Sequence, residues 1–264
     1  PYCSNPIDLA RKSAELSTEV WLRAFREAAE MGVLHVHLSG GEPVARRDIA
    51  ELTAGAVAAG LYTNLITSGV GLTQAKFDAL LEAGLDHVQL SLQGSNAKIA
   101  DRIGGYKGGF EAKMRVAEMT EAAGVPLTIN AVMHRQNLDR LEETIDLSVR
   151  LGARRLEVAH TQYHGWAYRN RHALMPTPEQ TKRSNEIVAA ARERLKGVLV
   201  IDYVPPDHLA TYPKACMGGW GRMGLAVTPT GKVLPCHAAE TITTLEFERL
   251  GDRPLAEIWA TGPA

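Results

Sequence analysis

The 264-residue chain holds three cysteines, Cys3, Cys216 and Cys236. Cys3 sits in the opening run Pro1-Tyr2-Cys3-Ser4-Asn5-Pro6. Cys216 begins the glycine-rich run Cys216-Met217-Gly218-Gly219-Trp220-Gly221, and Cys236 lies between Pro235 and His237. A thiolate set in glycine-rich backbone suits an iron–sulfur cluster, because the sulfides accept backbone N–H bonds. The distance between Cys216 and Cys236 is not that of a CxxC pair, so zinc or two free thiols stay open as readings. So small and odd a cysteine count excludes a disulfide-stapled secreted fold and points to a reducing cytoplasm.

A second cluster of chemistry lies at Gly40-Gly41-Glu42-Pro43. Two glycines let backbone approach a ligand closely. Carbonyls there and the Glu42 carboxylate can accept bonds from an ammonium group, and Pro43 removes a competing donor. Thr67, Ser68, Ser91 and Gln93 can donate to a carboxylate or to ribose hydroxyls. Ammonium, carboxylate and ribose together describe an aminoacyl-type nucleoside.

These residues need a scaffold that gathers them. Short β-branched runs at Val33–Leu38, Tyr62–Thr67, His87–Leu92, Leu127–Met133, Arg155–Ala159 and Leu199–Tyr203 predict six strands. Helical patterns alternate with them. One runs from Ser17 or Thr18 to Met31; others place Ile49, Leu52, Ala56 and Val57, or Leu138, Leu141, Ile145 and Val149, on one face. Gln180–Leu195 is a further helix. Repeated strand–helix units imply a parallel sheet, either a partial (β/α)6 TIM-like barrel or a doubly wound sheet. In both, ligands bind at the carboxyl ends of the strands. Those ends carry Ser39–Pro43, Thr67–Gly69, Ser91–Gly94, Asn130–Arg135 and His160–His164, a polar set converging on one rim.

After about Tyr203 the chain turns rich in proline and glycine, with a hairpin around Pro229-Thr230-Gly231 and a weak helix at Leu255–Trp259. Residues 1–203 are read as the barrel and 204–264 as a small C-terminal extension. The chain opens without Met and is read as a piece of a longer protein. Lys plus Arg is 29 against 30 Asp plus Glu, a net charge of −1. That balance argues against phosphate-driven nucleic-acid binding. No apolar run is long enough to span a bilayer, and no membrane role is expected.

Taken together, these motifs resemble the radical S-adenosylmethionine (SAM) family with a SPASM-type extension. Tyr2-Cys3 is similar to the end of the signature C-x3-C-x-aromatic-C, whose first two cysteines are absent here. Gly40–Pro43 is similar to that family's methionine-amine motif, and Cys216, the hairpin and Cys236 resemble the extension that holds auxiliary clusters. The segments Leu61–Gly69, Glu157–Ala167 and Ala215–Gly221 look like the branch serving pyrroloquinoline quinone (PQQ) synthesis. The resemblance implies an oxidoreductase in which a 4Fe-4S cluster cleaves SAM to a radical. That radical then cross-links a glutamate carbon to a tyrosine ring in the PqqA precursor peptide. It implies auxiliary clusters (4Fe-4S or 2Fe-2S), a peptide chaperone PqqD and a reductant such as flavodoxin. Carried to this sequence, Cys3 is a thiolate ligand of the SAM cluster, and Cys216 and Cys236 ligate auxiliary clusters. Tyr2 approaches the adenine. Gly40, Gly41 and Glu42 hold the SAM amine. Ser91, Gln93 and Asn130 contact carboxylate and ribose, and His160 and Gln162 line the adenine or substrate side.

Three other readings compete. One is a different SPASM-type enzyme that modifies peptides. The second is a metal-dependent lyase using His35, His37, His134 and His160. The third is a scaffold that docks a peptide on a sheet edge.

Overall fold

The computed structural model describes residues 2, 3, 5, 7, 9–205 and 219–262. Six strands form one parallel sheet: β1 (His35–Leu38), β2 (Tyr62–Thr67), β3 (His87–Ser91), β4 (Leu127–Met133), β5 (Arg155–His160) and β6 (Val200–Val204). Helices α1 (Thr18–Glu30), α2 (Ile49–Ala58), α3 (Gln74–Glu82), α4 (Ala97–Gly104), α5 (Gly109–Ala122) and α6 (Leu141–Arg150) precede or connect them. Between β5 and β6 come α7 (Gly165–Arg169), α8 (Arg171–Leu174) and the long α9 (Pro178–Arg194). The strands are ordered one to six without a reversal. Crossovers of one hand in that order keep the helices on one face, so the sheet curls into a partial barrel. A doubly wound sheet needs a switch in strand order and is excluded.

Side-chain alternation explains the curl. Leu65, Val88, Leu90, Ile129, Ala131, Leu156 and Val158 are fully buried beneath the helices. The residues between them, His37, Asn64, Gln89, Asn130 and Glu157, are polar and face the concave side. Helix starts are capped locally: Thr73 and Asn96 accept N–H bonds at α3 and α4, and Thr177 with Gln180 forms a capping box at α9.

Strand boundaries agree with the sequence reading to within about two residues. The amphipathic face of α2 does not hold throughout. Ile49, Leu52 and Ala56 are buried, but Val57 is 36% exposed, because the apolar stripe is narrower than the residue types suggest.

The hairpin is β7 (Ala226–Val227) with β8 (Val233–Leu234), and the last helix is α10 (Leu255–Thr261). This C-terminal segment packs on the outside of α1. Val233, Leu250, Leu255 and Ile258 enclose Ala24, and the Leu255 N–H donates to Glu27 at 2.8 Å. Among the described residues, no helix is long and apolar enough to cross a membrane.

Candidate functional site

The loop after β1 is organised by Glu42. Its Oε1 accepts the Thr67 hydroxyl at 2.7 Å and the Val44 N–H at 3.4 Å. Its Oε2 accepts the Ser68 N–H at 2.8 Å and the Ser68 hydroxyl at 2.5 Å. A carboxylate offers about four acceptor directions, and all are in use. Glu42 therefore ties the end of β1 to the end of β2 and places a negative charge beneath the loop. Space lies open above it: a Cβ built on Gly40 or Gly41 would meet nothing within 4 Å.

The N-terminal segment docks on this rim. The Asn5 amide donates to the Gly40 carbonyl at 3.3 Å. The Tyr2 hydroxyl accepts from the Gln93 amide at 2.8 Å, and burial raises its pKa. The Tyr2 ring lies 5.6 Å from that of His134. The Cys3 carbonyl accepts the Ala167 N–H of α7 at 3.2 Å, and Cys3 is exposed. Cys3, Tyr2, Gln93 and the Gly40–Glu42 loop thus share the carboxyl end of the sheet.

Behind Gln93 stands Asn137, which sequence reasoning missed. Its amide nitrogen donates to the carbonyls of Gln93 at 3.1 Å and Val132 at 3.0 Å, and its oxygen accepts the His134 N–H at 2.8 Å. His134 is fully buried; burial, reinforced by Arg102, pushes its imidazole down to about 4. Its Nδ1 accepts the Gln136 N–H at 3.2 Å, while Nε2 has no hydrogen-bond partner among the described residues.

Ser91 and Asn130 are register partners on the concave side. Asn130 and Gln89 both donate to Glu157 Oε2, at 2.7 and 3.1 Å. Asn64 continues the chain of contacts to Gln89 at 3.2 Å and His37 at 3.0 Å. A polar network therefore crosses the barrel floor where a closed barrel would be packed with apolar side chains.

Two expected placements change. His160 is turned toward the helical layer: it is 4% exposed, and its Nε2 lies 3.2 Å from the Tyr203 hydroxyl, which also meets Ser184 of α9. It shares the parity of Leu156 and Val158, so it does not line the concave side. The four histidines do not assemble either. Among the described residues, no three His, Cys, Asp or Glu side chains are grouped to hold a metal ion. Gln162 is exposed on the rim. Cys236 is half-buried just before a 3-10 turn at His237–Thr241. Cys216 lies outside the described residues.

Sequence reasoning also missed Lys113. This α5 lysine is 4% exposed and donates from Nζ to the Ser68 carbonyl. Burial pushes its pKa down to about 8, opposed by Glu42 and Asp101. The available signal was a lysine amid the helix's core-facing positions, Gly109, Val116, Ala117 and Thr120.

A partial parallel barrel with a cysteine and a doubled glycine loop on its rim is a radical SAM architecture. Residues 1–148 match the radical SAM superfamily, and the chain belongs to it. Within it, the chain belongs to the family of the PqqA peptide cyclases. It is 63% identical to the PqqA peptide cyclase of Ruegeria pomeroyi, over its whole length and 71% of that relative. It is 61% identical to that of Rhizobium meliloti, over 98% of this chain and 69% of the relative. The fold is also that of SuiB from Streptococcus suis, solved bound to S-adenosylmethionine. The TM-score is 0.82 at 20% identity, covering 99% of this chain and 62% of that one. For anSMEcpe with bound AdoMet the TM-score is 0.72 at 16% identity, covering 99% of this chain and 79% of that one. The chain thus spans about seven-tenths of its curated relatives and a little over three-fifths of SuiB.

Proposed function

We propose that this chain is the barrel and the start of the auxiliary region of a PqqA peptide cyclase. In this reading the enzyme joins a glutamate side-chain carbon to a tyrosine ring in the PqqA precursor peptide during PQQ synthesis. The observation that carries the reading is the docking of Tyr2 and Cys3. Gln93 and Ala167 pin that segment to the same rim as the Gly40–Glu42 loop.

The donor set fits the implied groups. Cys3 presents an exposed thiol for iron, and Gly40 and Gly41 leave room for a ligand's amine and backbone to meet. When bound, a reduced 4Fe-4S cluster and SAM supply a carbon radical that can take a hydrogen atom from substrate. This chain's residues position and shelter that chemistry. Carbonyls of the Gly40–Gly41 loop accept from the ammonium, while Glu42 fixes the loop and supplies the compensating charge. Tyr2 flanks the adenine. Ser91, Asn130 and Gln93 offer a hydroxyl and amides to carboxylate and ribose, and Gln162 stands exposed toward the substrate side. The curved sheet limits the access of water to a reactive site.

Residues 204–264 are read as the SPASM-type region, with Cys216 and Cys236 as ligands of auxiliary 4Fe-4S or 2Fe-2S clusters. PqqD presents the peptide, a flavodoxin-type reductant delivers the electron, and the setting is the cytoplasm. The odd cysteine count supports that setting.

The test uses the full-length protein, reconstituted anaerobically with PqqA, PqqD, SAM and reductant. A peptide that loses two hydrogen atoms is expected, with one new carbon–carbon bond between glutamate and tyrosine. A peptide of unchanged mass, or a protein that takes up no iron, rules the reading out.

A further inference from the structure

Helix α5 turns Gly109, Lys113, Val116, Ala117 and Thr120 inward. Removing an ammonium from water is costly, so a lysine among such residues requires partners. The partner of Lys113 is the carbonyl of Ser68, the residue whose N–H and hydroxyl both hold Glu42 Oε2. The two charged groups that face Lys113 are Glu42 and Asp101. Asp101 is already engaged by the N–H groups of Gly108 at 2.7 Å and Phe110 at 2.8 Å. Glu42, itself held by four donors, has its charge at the Gly40–Gly41 loop, the loop read as the amine site.

Gly69 makes the arrangement possible. Its φ is +77°, and a Cβ there would stand 3.1 Å from Leu90 Cδ1 and 3.5 Å from the Lys113 Cα. The turn after β2 and helix α5 approach closely enough for the lysine to reach the Ser68 carbonyl. A relay therefore runs from α5 through Ser68 to the carboxylate beneath the Gly40–Gly41 loop.

We propose that Lys113 is a positioning residue of the amine site, locking Ser68 and through it the Glu42 carboxylate that holds the Gly40–Gly41 loop in the orientation whose carbonyls recognise a primary ammonium. This rests on the reading of the Gly40–Glu42 loop as the site of the SAM amine. Lys113 touches no ligand itself. It acts on how well the loop distinguishes an ammonium from its absence.

The test compares two ligands on the full-length reconstituted protein, SAM and a SAM analogue lacking the α-amino group, by equilibrium dialysis. The parent is expected to prefer SAM. Lys113→Met keeps an unbranched apolar stem, one atom shorter than lysine, and removes its charge and donor. It is expected to weaken SAM about tenfold and the analogue hardly at all, so the preference collapses. Equal weakening of both ligands, or a preference equal to the parent's, overturns the proposal. A parent that shows no preference overturns the amine-site reading itself. Ser68→Ala serves as a second variant, since it cuts the hydroxyl link to Glu42 while Lys113 keeps its carbonyl. It too should lose SAM selectively. An unchanged preference there overturns the relay even where the lysine variant does not fold.

Discussion

Ser68 meets one oxygen of Glu42 twice, through its N–H at 2.8 Å and its hydroxyl at 2.5 Å. A carboxylate filled in this way works as a structural joint as well as a charge. The ends of β1 and β2 are held at a fixed spacing, and the glycine loop above them borders open space, since a Cβ on Gly40 or Gly41 would meet nothing within 4 Å.

Glu42→Ala removes the acceptor from four donors at once. Thr67 is 1% exposed, so its hydroxyl loses a partner that water replaces poorly. A stability loss of about 1–3 kcal/mol is expected by denaturant titration. In the full-length protein, SAM affinity should fall by about tenfold or more while auxiliary-cluster absorbance stays at the parent level. Unchanged affinity by calorimetry would contradict the amine-site assignment.

Asn137 joins the ends of β3 and β4 by bonding Gln93, Val132 and His134. Asn137→Ala leaves two carbonyls and one N–H unpaired in a buried place. A loss of about 2–3 kcal/mol is expected. Because Gln93 holds Tyr2, the Cys3 segment should also loosen. The checks are a lower thermal midpoint and lower iron retention on dilution of the full-length protein. A variant with the parent's midpoint and iron content would show that Asn137 does not anchor the rim.

Much of the fold was legible because the strands obey a simple rule. Their helix-facing residues are mostly apolar, so short β-branched runs mark the strands. The rim motifs were legible for a related reason, since ligand loops follow strand ends. What stayed hidden depends on contacts distant in sequence. His160 reads as a rim residue, yet it shares the parity of Leu156 and Val158, and on the helical side it meets the Tyr203 hydroxyl, 43 positions away. Lys113 reads as an ordinary helix lysine until Ser68, 45 positions earlier, is brought against it. Asn137 shows no motif, and its role exists only once Gln93 is adjacent. The open floor of Asn64, Gln89, Asn130 and Glu157 was likewise invisible as a network, because each member sits on a different strand.

Cys216 comes after β6 in the sequence and lies outside the described residues. On the proposed reading of Cys216 as an auxiliary-cluster ligand, Cys216→Ala in the full-length protein should remove auxiliary-cluster absorbance and lower the iron content while leaving the barrel's far-ultraviolet dichroism unchanged. Iron equal to the parent's would remove Cys216 from the ligand set. A lost dichroism signal would show that the cysteine supports the fold instead.

Arg46 and Asp48 supply a pH-dependent clamp on the loop after β1. Arg46 donates to Asp48 at 2.7 and 3.0 Å, to Glu15 at 2.9 Å and to the Leu16 carbonyl at 3.3 Å. Thr18 adds a bond to Asp48 at 2.7 Å. Burial pushes the Asp48 carboxyl up, but the bonds from Arg46 and Thr18 and the arginine's charge outweigh it, so the pKa falls below the ordinary 3.8. A carboxyl with a depressed folded pKa binds its proton more readily in the unfolded chain. Its contribution is therefore complete above the unfolded value and disappears as pH falls through the folded one. Asp48→Asn should cost about 1 kcal/mol near neutrality, since the pair is partly open to solvent. The gap to the parent should stay constant down to about pH 4 and close below it. Denaturant titrations across that range check the sign: a gap that widens on acidification would mean that burial, and not the arginine, governs Asp48.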